Sequence, residues 1–198
     1  MSWPPEVTLE GRHAILVPLS PDHAGALRDA VQDGEVWRLW YTMVPAPEDM
    51  DKAIAARLDL REKGSMLPFT VISAETGLPV GMTTYMNIDA AAPRVEIGST
   101  WYRRSVQRTP INTECKLMLL EHAFEALDCL AVEFRTHVFN TASRRAIERL
   151  GGKLYGVLRN HARMANGTLR DTSVYSIIAG EWPTVKPHLT WQLERPRG

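Results

Sequence analysis

One stretch of this 198-residue chain constrains its fold more than any other. Val95 to Tyr102 reads as a strand. It ends in the polar turn Gln107-Arg108-Thr109-Pro110-Ile111-Asn112-Thr113-Glu114, which opens directly into a long apolar helix, Ile111 to Leu127. A helix that starts straight after a strand leaves its first N–H groups without intrahelical partners, and that is a ready anion site. A second polar helix start follows at Asn140-Thr141-Ala142-Ser143-Arg144-Arg145, closing at Leu150-Gly151-Gly152. Two such starts on neighbouring strands point to a chain built to hold a phosphate-bearing cofactor.

The rest of the chain fits that reading. Its length and 44% hydrophobic content match one domain, residues 1–198, with a full core. Lys plus Arg equals Asp plus Glu, 23 each, so no basic excess advertises a nucleic-acid partner. Arg103-Arg104 and Arg144-Arg145 are short clusters whose plain reading is a solvated face. Cys115 and Cys129 lack metal spacing and read as reduced, buried thiols of a cytoplasmic protein. The histidines His13, His23, His122, His137, His161 and His188 are scattered, so no metal is expected. The first residues lack the basic start and apolar run of a signal peptide. No stretch approaches the roughly eighteen apolar residues of a membrane span.

Periodicity and turn residues predict the order β-α-α-α-β-β-β-α-β-α-β-β with a short C-terminal helix, Val185 to Glu194. Gly11 to Leu19 is a strand. Ser20 caps a helix with Pro21 at its first position and Ala24, Leu27 and Val31 inside. Glu35 to Tyr41 is short and aromatic, and Asp49 to Lys63 is a helix ended by Gly64. Leu67 to Ala74 and Pro79 to Asn87 form a hairpin about Gly77. Arg94 to Tyr102 and Ala131 to Val138 are strands, and Thr141 to Leu150 is a helix. Lys153 to Arg163 and Thr168 to Ile178 are strands joined by Ala165-Asn166-Gly167. The expected class is α/β (α+β): a mixed, mostly antiparallel sheet with helices on both faces.

With this order, the motifs Glu96-Ile97-Gly98, Asn112-Thr113-Glu114, Asn140-x-x-Ser143, Glu148-Arg149-Leu150-Gly151, Gly167-x-x-Arg170-Asp171 and Tyr175-Ser176-Ile177-Ile178 resemble the GCN5-related N-acetyltransferases (GNAT), in the branch of the RimJ/RimL-type ribosomal-protein N-acetyltransferases. The resemblance implies a single GNAT-like domain whose fourth strand, Val95 to Tyr102, splays from the fifth, Ala131 to Val138. It implies acetyl-CoA in that gap, with the pantetheine arm on the free strand edge and the pyrophosphate on the loop Gln107 to Asn112. The implied cofactor residues are Trp101, Tyr102, Gln107, Arg108, Thr109, Ile111, Asn112, Thr113, Asn140, Ser143 and Arg144. Asn140 has a plainer reading as a helix cap. The wider family carries glycine where this chain has Pro110 and Asn112, so the loop lacks one N–H donor and some freedom. Glu114 must point away from any phosphate held there.

Acetyl transfer to an amine needs a neutral nitrogen, donors for the oxyanion and a proton for the leaving thiolate. Neutralising an α-amine at pH 7 costs about 1.4 kcal/mol, and a lysine about 4.6 kcal/mol. A site without a strong base therefore favours α-amines: a protein N-terminus or a small-molecule amine. Glu96 and His137 are the candidate bases, each with a structural alternative. The helix position where relatives carry an acidic tyrosine holds Ile147, leaving Tyr175, Tyr155 and Ser143 as substitutes. Trp37, Trp40 and Tyr41 read either as an acceptor pocket or as core. Asp171 either receives a cationic amine or braces Arg170. A homodimer through an exposed strand edge is a further expectation. The alternatives are a non-catalytic CoA-binding sensor and a transferase for another acyl-CoA.

Overall fold

The computed structural model describes residues 3–195. Its elements are β1 (Leu9–Glu10), β2 (Ala14–Pro18), α1 (Ala24–Gln32), α2 (Met50–Glu62), β3 (Met66–Ser73), β4 (Pro79–Asp89), β5 (Arg94–Tyr102), α3 (Ile111–Glu121), β6 (Ala131–His137), α4 (Thr141–Arg149), β7 (Lys153–Arg163), β8 (Leu169–Ile178) and α5 (Trp182–Glu194). The strands form one sheet in the order β1-β2-β3-β4-β5-β6-β8-β7. Every neighbouring pair is antiparallel except β5 and β6.

Two cores hold helices to opposite faces. On one, α1 and α2 bury Leu27, Val31, Met50 and Ile54 against Leu19, Met82 and Trp101. On the other, α3, α4 and α5 bury Leu119, Leu120, Ile147 and Leu189 against Phe69, Tyr85, Val132 and Tyr175. Alternation along β6 sends Val132 and Phe134 into this second core. Glu133, Arg135 and His137 project from the other face, which α1 and α2 cover elsewhere.

Most expected elements are present, with small shifts at their ends. Ser20 caps a single 3-10 turn, Pro21–His23, before α1 begins. The Glu35 to Tyr41 stretch contributes only the 3-10 turn Val36–Arg38. The long apolar helix becomes a π turn at His122–Ala126. The last helix starts at Trp182, because Pro183 falls in its first turn where no N–H is needed.

The sheet opens at one place. β5 and β6 pair only at Arg94–Ala131, Val95–Val132 and Glu96–Glu133. Beyond Glu96 the remaining length of β5 has no strand partner on that side among the described residues. A bulge lies just past this point. Register with β4 jumps from Gly98 opposite Thr84 to Trp101 opposite Met82, and Ser99 takes φ +49°. An extra residue of this kind bends its strand and increases the local twist. Lys116, from α3, pins the bulge: its Nζ donates to Thr83 Oγ1 at 2.9 Å and Thr100 Oγ1 at 2.8 Å. It is buried and has no carboxylate partner among the described residues.

α3 is fixed at its other end by Glu114. Its buried carboxylate accepts the N–H groups of Arg12 (2.9 Å), His13 (2.6 Å) and Ala14 (2.8 Å). Gly11 allows this approach, since a Cβ there would lie 2.6 Å from Glu114 Cδ.

Two outcomes follow for stability. Glu114→Gln keeps the shape but replaces one acceptor oxygen by an NH2 group facing donors. It is expected to cost about 2–3 kcal/mol, read from urea unfolding; a cost near zero would show that the three N–H bonds contribute little. Burial lowers the Lys116 ammonium to about 8, against about 10.4 in an unfolded chain. The unfolded state therefore binds more protons between those values, so stability rises with pH across that window. Relative to Lys116→Met, the wild type should gain about 2 kcal/mol between about pH 7.5 and 9.5. A flat difference would mean that Lys116 does not titrate in this range.

Candidate active site

The gap between β5 and β6 is bounded below by the last pair, Glu96–Glu133, and at its far end by two helix starts. At α3, Asn112 and Thr113 present first-turn N–H groups with no acceptor in the chain among the described residues, as helix geometry requires. The loop before them is ordered without glycine. Arg108 takes φ +63°. Gln107 Nε2 donates to Tyr102 O at 3.1 Å. Thr109 Oγ1 donates to Val106 O at 2.6 Å and stands 3.4 Å from Ile111 N. Glu114 points to the β1–β2 turn, away from this loop, so its carboxylate does not oppose an anion here. Arg103 Nε pairs with Asp33 at 3.1 Å, and Asp33 also takes the N–H of Ser105.

Trp101 and Tyr102 offer only backbone to the gap, since their rings are buried in opposite cores. Ile111 is core too, and Thr113 Oγ1 accepts Arg149 at 3.0 Å. At α4, Asn140 Oδ1 caps the helix by accepting Ser143 N–H at 3.1 Å. Arg144 donates to Tyr175 Oη at 3.0 Å and Val138 O at 3.3 Å. Tyr175 is fully buried and donates to Glu148 at 2.8 Å, so its hydroxyl is committed between α4 and β8. Tyr155 stands on the outer strand β7, 83% exposed.

Glu96 is buried at the bottom of the gap. Its carboxylate accepts Asn87 Nδ2 at 2.6 Å and faces Arg135 Nε at 3.4 Å. Burial raises its carboxyl above the usual range, while Asn87 and Arg135 oppose the rise. Glu133 takes Arg135 at 2.9 Å and Arg94 at 3.8 Å.

His137 ends β6 on the same face. Its Nδ1 accepts Phe139 N–H at 3.1 Å, so in the neutral ring the proton sits on Nε2. That Nε2 is buried and has no partner among the described residues. Burial lowers the pKa of His137, and Arg170 lowers it further against the pull of Asp171. Trp40 stands edge-on at 5.1 Å, Tyr41 lies at 6.4 Å and Phe139 stacks at 5.6 Å. Trp40 and Phe139 are largely exposed. Trp37 is separate from this group and packs on the α1–α2 core.

Asp171 makes no hydrogen bond or ion pair with Arg170 among the described residues. It accepts Asn160 N–H at 2.7 Å and pairs with Arg159 at 2.6 Å, bracing β7. Asn87, Arg135, Phe139 and Lys116 were not singled out by sequence, and Arg170 entered only within a motif and as a possible partner of Asp171. Phe139 had a signal, an aromatic lying between His137 and the cap Asn140. The others are set by cross-strand register, which one sequence does not display. No group of three His, Cys, Asp or Glu suited to a metal occurs among the described residues. No described helix is long and apolar enough to cross a membrane.

Comparison with known proteins supports this geometry. The family description "Acetyltransferase (GNAT) domain" matches residues 13–153. A GCN5-related N-acetyltransferase of Brucella melitensis superposes with a TM-score of 0.84 at 28% identity, over 95% of this chain and 86% of that one. RimJ of Mycobacterium smegmatis, solved with CoA-disulfide, shares the fold with a TM-score of 0.78 at 23% identity, over 96% and 95%. The N-acetyltransferase p20 of Bacillus licheniformis, whose role is uncharacterised, is 27% identical over 142 residues, 72% of this chain and 77% of its own. The family match over most of the chain decides the class: the chain belongs to the GNAT family, the acetyltransferases that move an acetyl group from acetyl-CoA to an amine.

Proposed function

We propose that the gap between β5 and β6 takes acetyl-CoA and that an α-amine enters from the face carrying Glu96 and His137. One observation carries this reading. A bulged strand loses its neighbour after Glu96 and runs, with its edge unpaired, to a helix start whose N–H groups are open. The free edge of β5 would hold the carrier's amide arm, and Asn112 and Thr113 would hold its diphosphate by N–H donation and the helix dipole. The carrier supplies a thioester, whose thiolate is a good leaving group.

Glu96 is the proton acceptor in this reading. Burial raises its carboxyl toward the working range of a general base. His137 is better suited to donate, because Nδ1 is engaged by Phe139 N–H and Nε2 bears the proton. Trp40, Tyr41 and Phe139 offer ring faces to an approaching ammonium. An α-amine, whether a protein N-terminus or a small molecule, matches a base of this strength better than a lysine does.

Titration with acetyl-CoA should release heat, and none at millimolar carrier would end the proposal. Thiol release over a panel of amines then separates an enzyme from a CoA-binding sensor. Glu96→Gln should lower kcat by about 100-fold near pH 7. The deficit should shrink as pH rises and the amine loses its proton unaided. A deficit constant with pH would assign Glu96 a structural role.

A further inference from the structure

We propose that Arg170 and His137 bind a carboxylate carried by the acceptor, so that the amine substrate is an amino-acid-like anion or a peptide acidic close to its first residue. This rests on the acceptor face assigned above and narrows what that face admits.

The placement comes from register. Thr172 lies opposite His137 across the β6–β8 ladder, so their side chains share a face. Arg170 reaches back along β8, and its Nε donates to Thr172 Oγ1 at 2.9 Å. The guanidinium is thereby anchored next to His137. Thr172 Oγ1 also meets His161 Nδ1 at 3.1 Å, which holds the hydroxyl in place.

The carboxylates nearby are already engaged. Asp171 serves Asn160 N–H and Arg159. Glu96 serves Asn87 and Arg135, and Glu133 serves Arg135 and Arg94. No salt bridge reaches Arg170 among the described residues; it is half-buried, and burial lowers its pKa against the opposing pull of the Glu96 carboxylate, which lies beyond ion-pair distance. Beside it, His137 is 2% exposed and its Nε2–H has no acceptor among the described residues. That N–H is thus drawn from water with no acceptor among the described residues, which is costly unless a ligand supplies oxygen, and the half-buried Arg170 guanidinium stands next to it. The planar fork of arginine fits a carboxylate by two parallel bonds, and the imidazole N–H can take a further lone pair. Phe139 and Trp40 wall this position on the open side, so apolar atoms of the acceptor can lie against them.

The test compares matched acceptors: L-amino acids, their C-terminal amides and the corresponding decarboxylated amines, with Ala-Asp against Ala-Asn dipeptides as a second arm. A carboxylate should raise kcat/KM by about tenfold or more in the wild type. The ratio should fall toward one in Arg170→Gln and recover partly in Arg170→Lys, which keeps the charge but not the fork. Preference among free amino acids places the carboxylate on the first residue, and preference for Ala-Asp places it on an acidic peptide. Calorimetric titration with N-acetyl-amino acids against their N-acetyl amides reads the same discrimination without turnover. Circular dichroism melts confirm that the variants fold. Amines acetylated without carboxylate preference, or a preference that Arg170→Gln and Arg170→Lys both leave intact, overturn the proposal while the acetyltransferase reading stands. Arg170-dependent binding of the carboxylates with no turnover of any amine would uphold it and count against the catalytic assignment.

Discussion

The site depends on one constraint: β5 cannot stay beside β6. The two strands share three pairs and then part. Parallel pairing needs both strands to keep a common twist. The extra residue at Ser99 changes the twist of β5 just past the last pair. The bulge is held from the α3 side by a buried ammonium bonded to two threonine hydroxyls, which also bond each other at 2.8 Å. Burying a lysine without a carboxylate is unfavourable. It is tolerated here where it fixes the one distortion that frees a run of backbone N–H and C=O groups.

The far end of the gap is governed by the direction of a single carboxylate. Glu114 lies in the first turn of α3, where its charge suits the helix dipole but would repel a diphosphate. Three backbone N–H groups from the β1–β2 turn draw it away, and Gly11 makes room for it. The absence of glycine from the loop matters less than the sequence alone implies. Arg108 adopts the positive φ itself. Pro110 precedes the first helical residue, where a missing N–H costs the helix nothing, and the donors of Asn112 and Thr113 remain.

Where local chemistry decided the structure, the sequence was legible. Gly77, Gly151 and Gly167 take positive φ at the turns expected of them, and Ser20 and Asn140 cap as their residue types predict. Alternation placed seven of the eight strands within a few residues, and the two-residue β1 was too short to show a period. The parting of the strands was implied only through the family resemblance, because a serine in a strand does not announce a bulge. The committed hydroxyl of Tyr175 and the bracing by Asp171 were hidden for a related reason. Each depends on a partner far away in sequence, Glu148 and Arg144 for one and Asn160 and Arg159 for the other.

The same long-range partners sort the candidate acid–base groups. A carboxylate accepts protons in proportion to how far its environment disfavours charge. Burial pushes the Glu96 carboxyl up, while Asn87 and Arg135 oppose the rise. For His137 the backbone N–H of Phe139 decides the matter: it occupies the one nitrogen that would accept a proton and leaves the other as a donor. Two groups that looked interchangeable as bases thus acquire opposite hydrogen-bonding characters. In the proposed reading, a carboxylate that takes a proton and an imidazole that offers one, on one face beside a parted strand pair, would suit a substrate with an amine at one end and an oxygen acceptor near it. A bare alkylamine would leave the Nε2–H of His137 as unsatisfied as it is in the free protein.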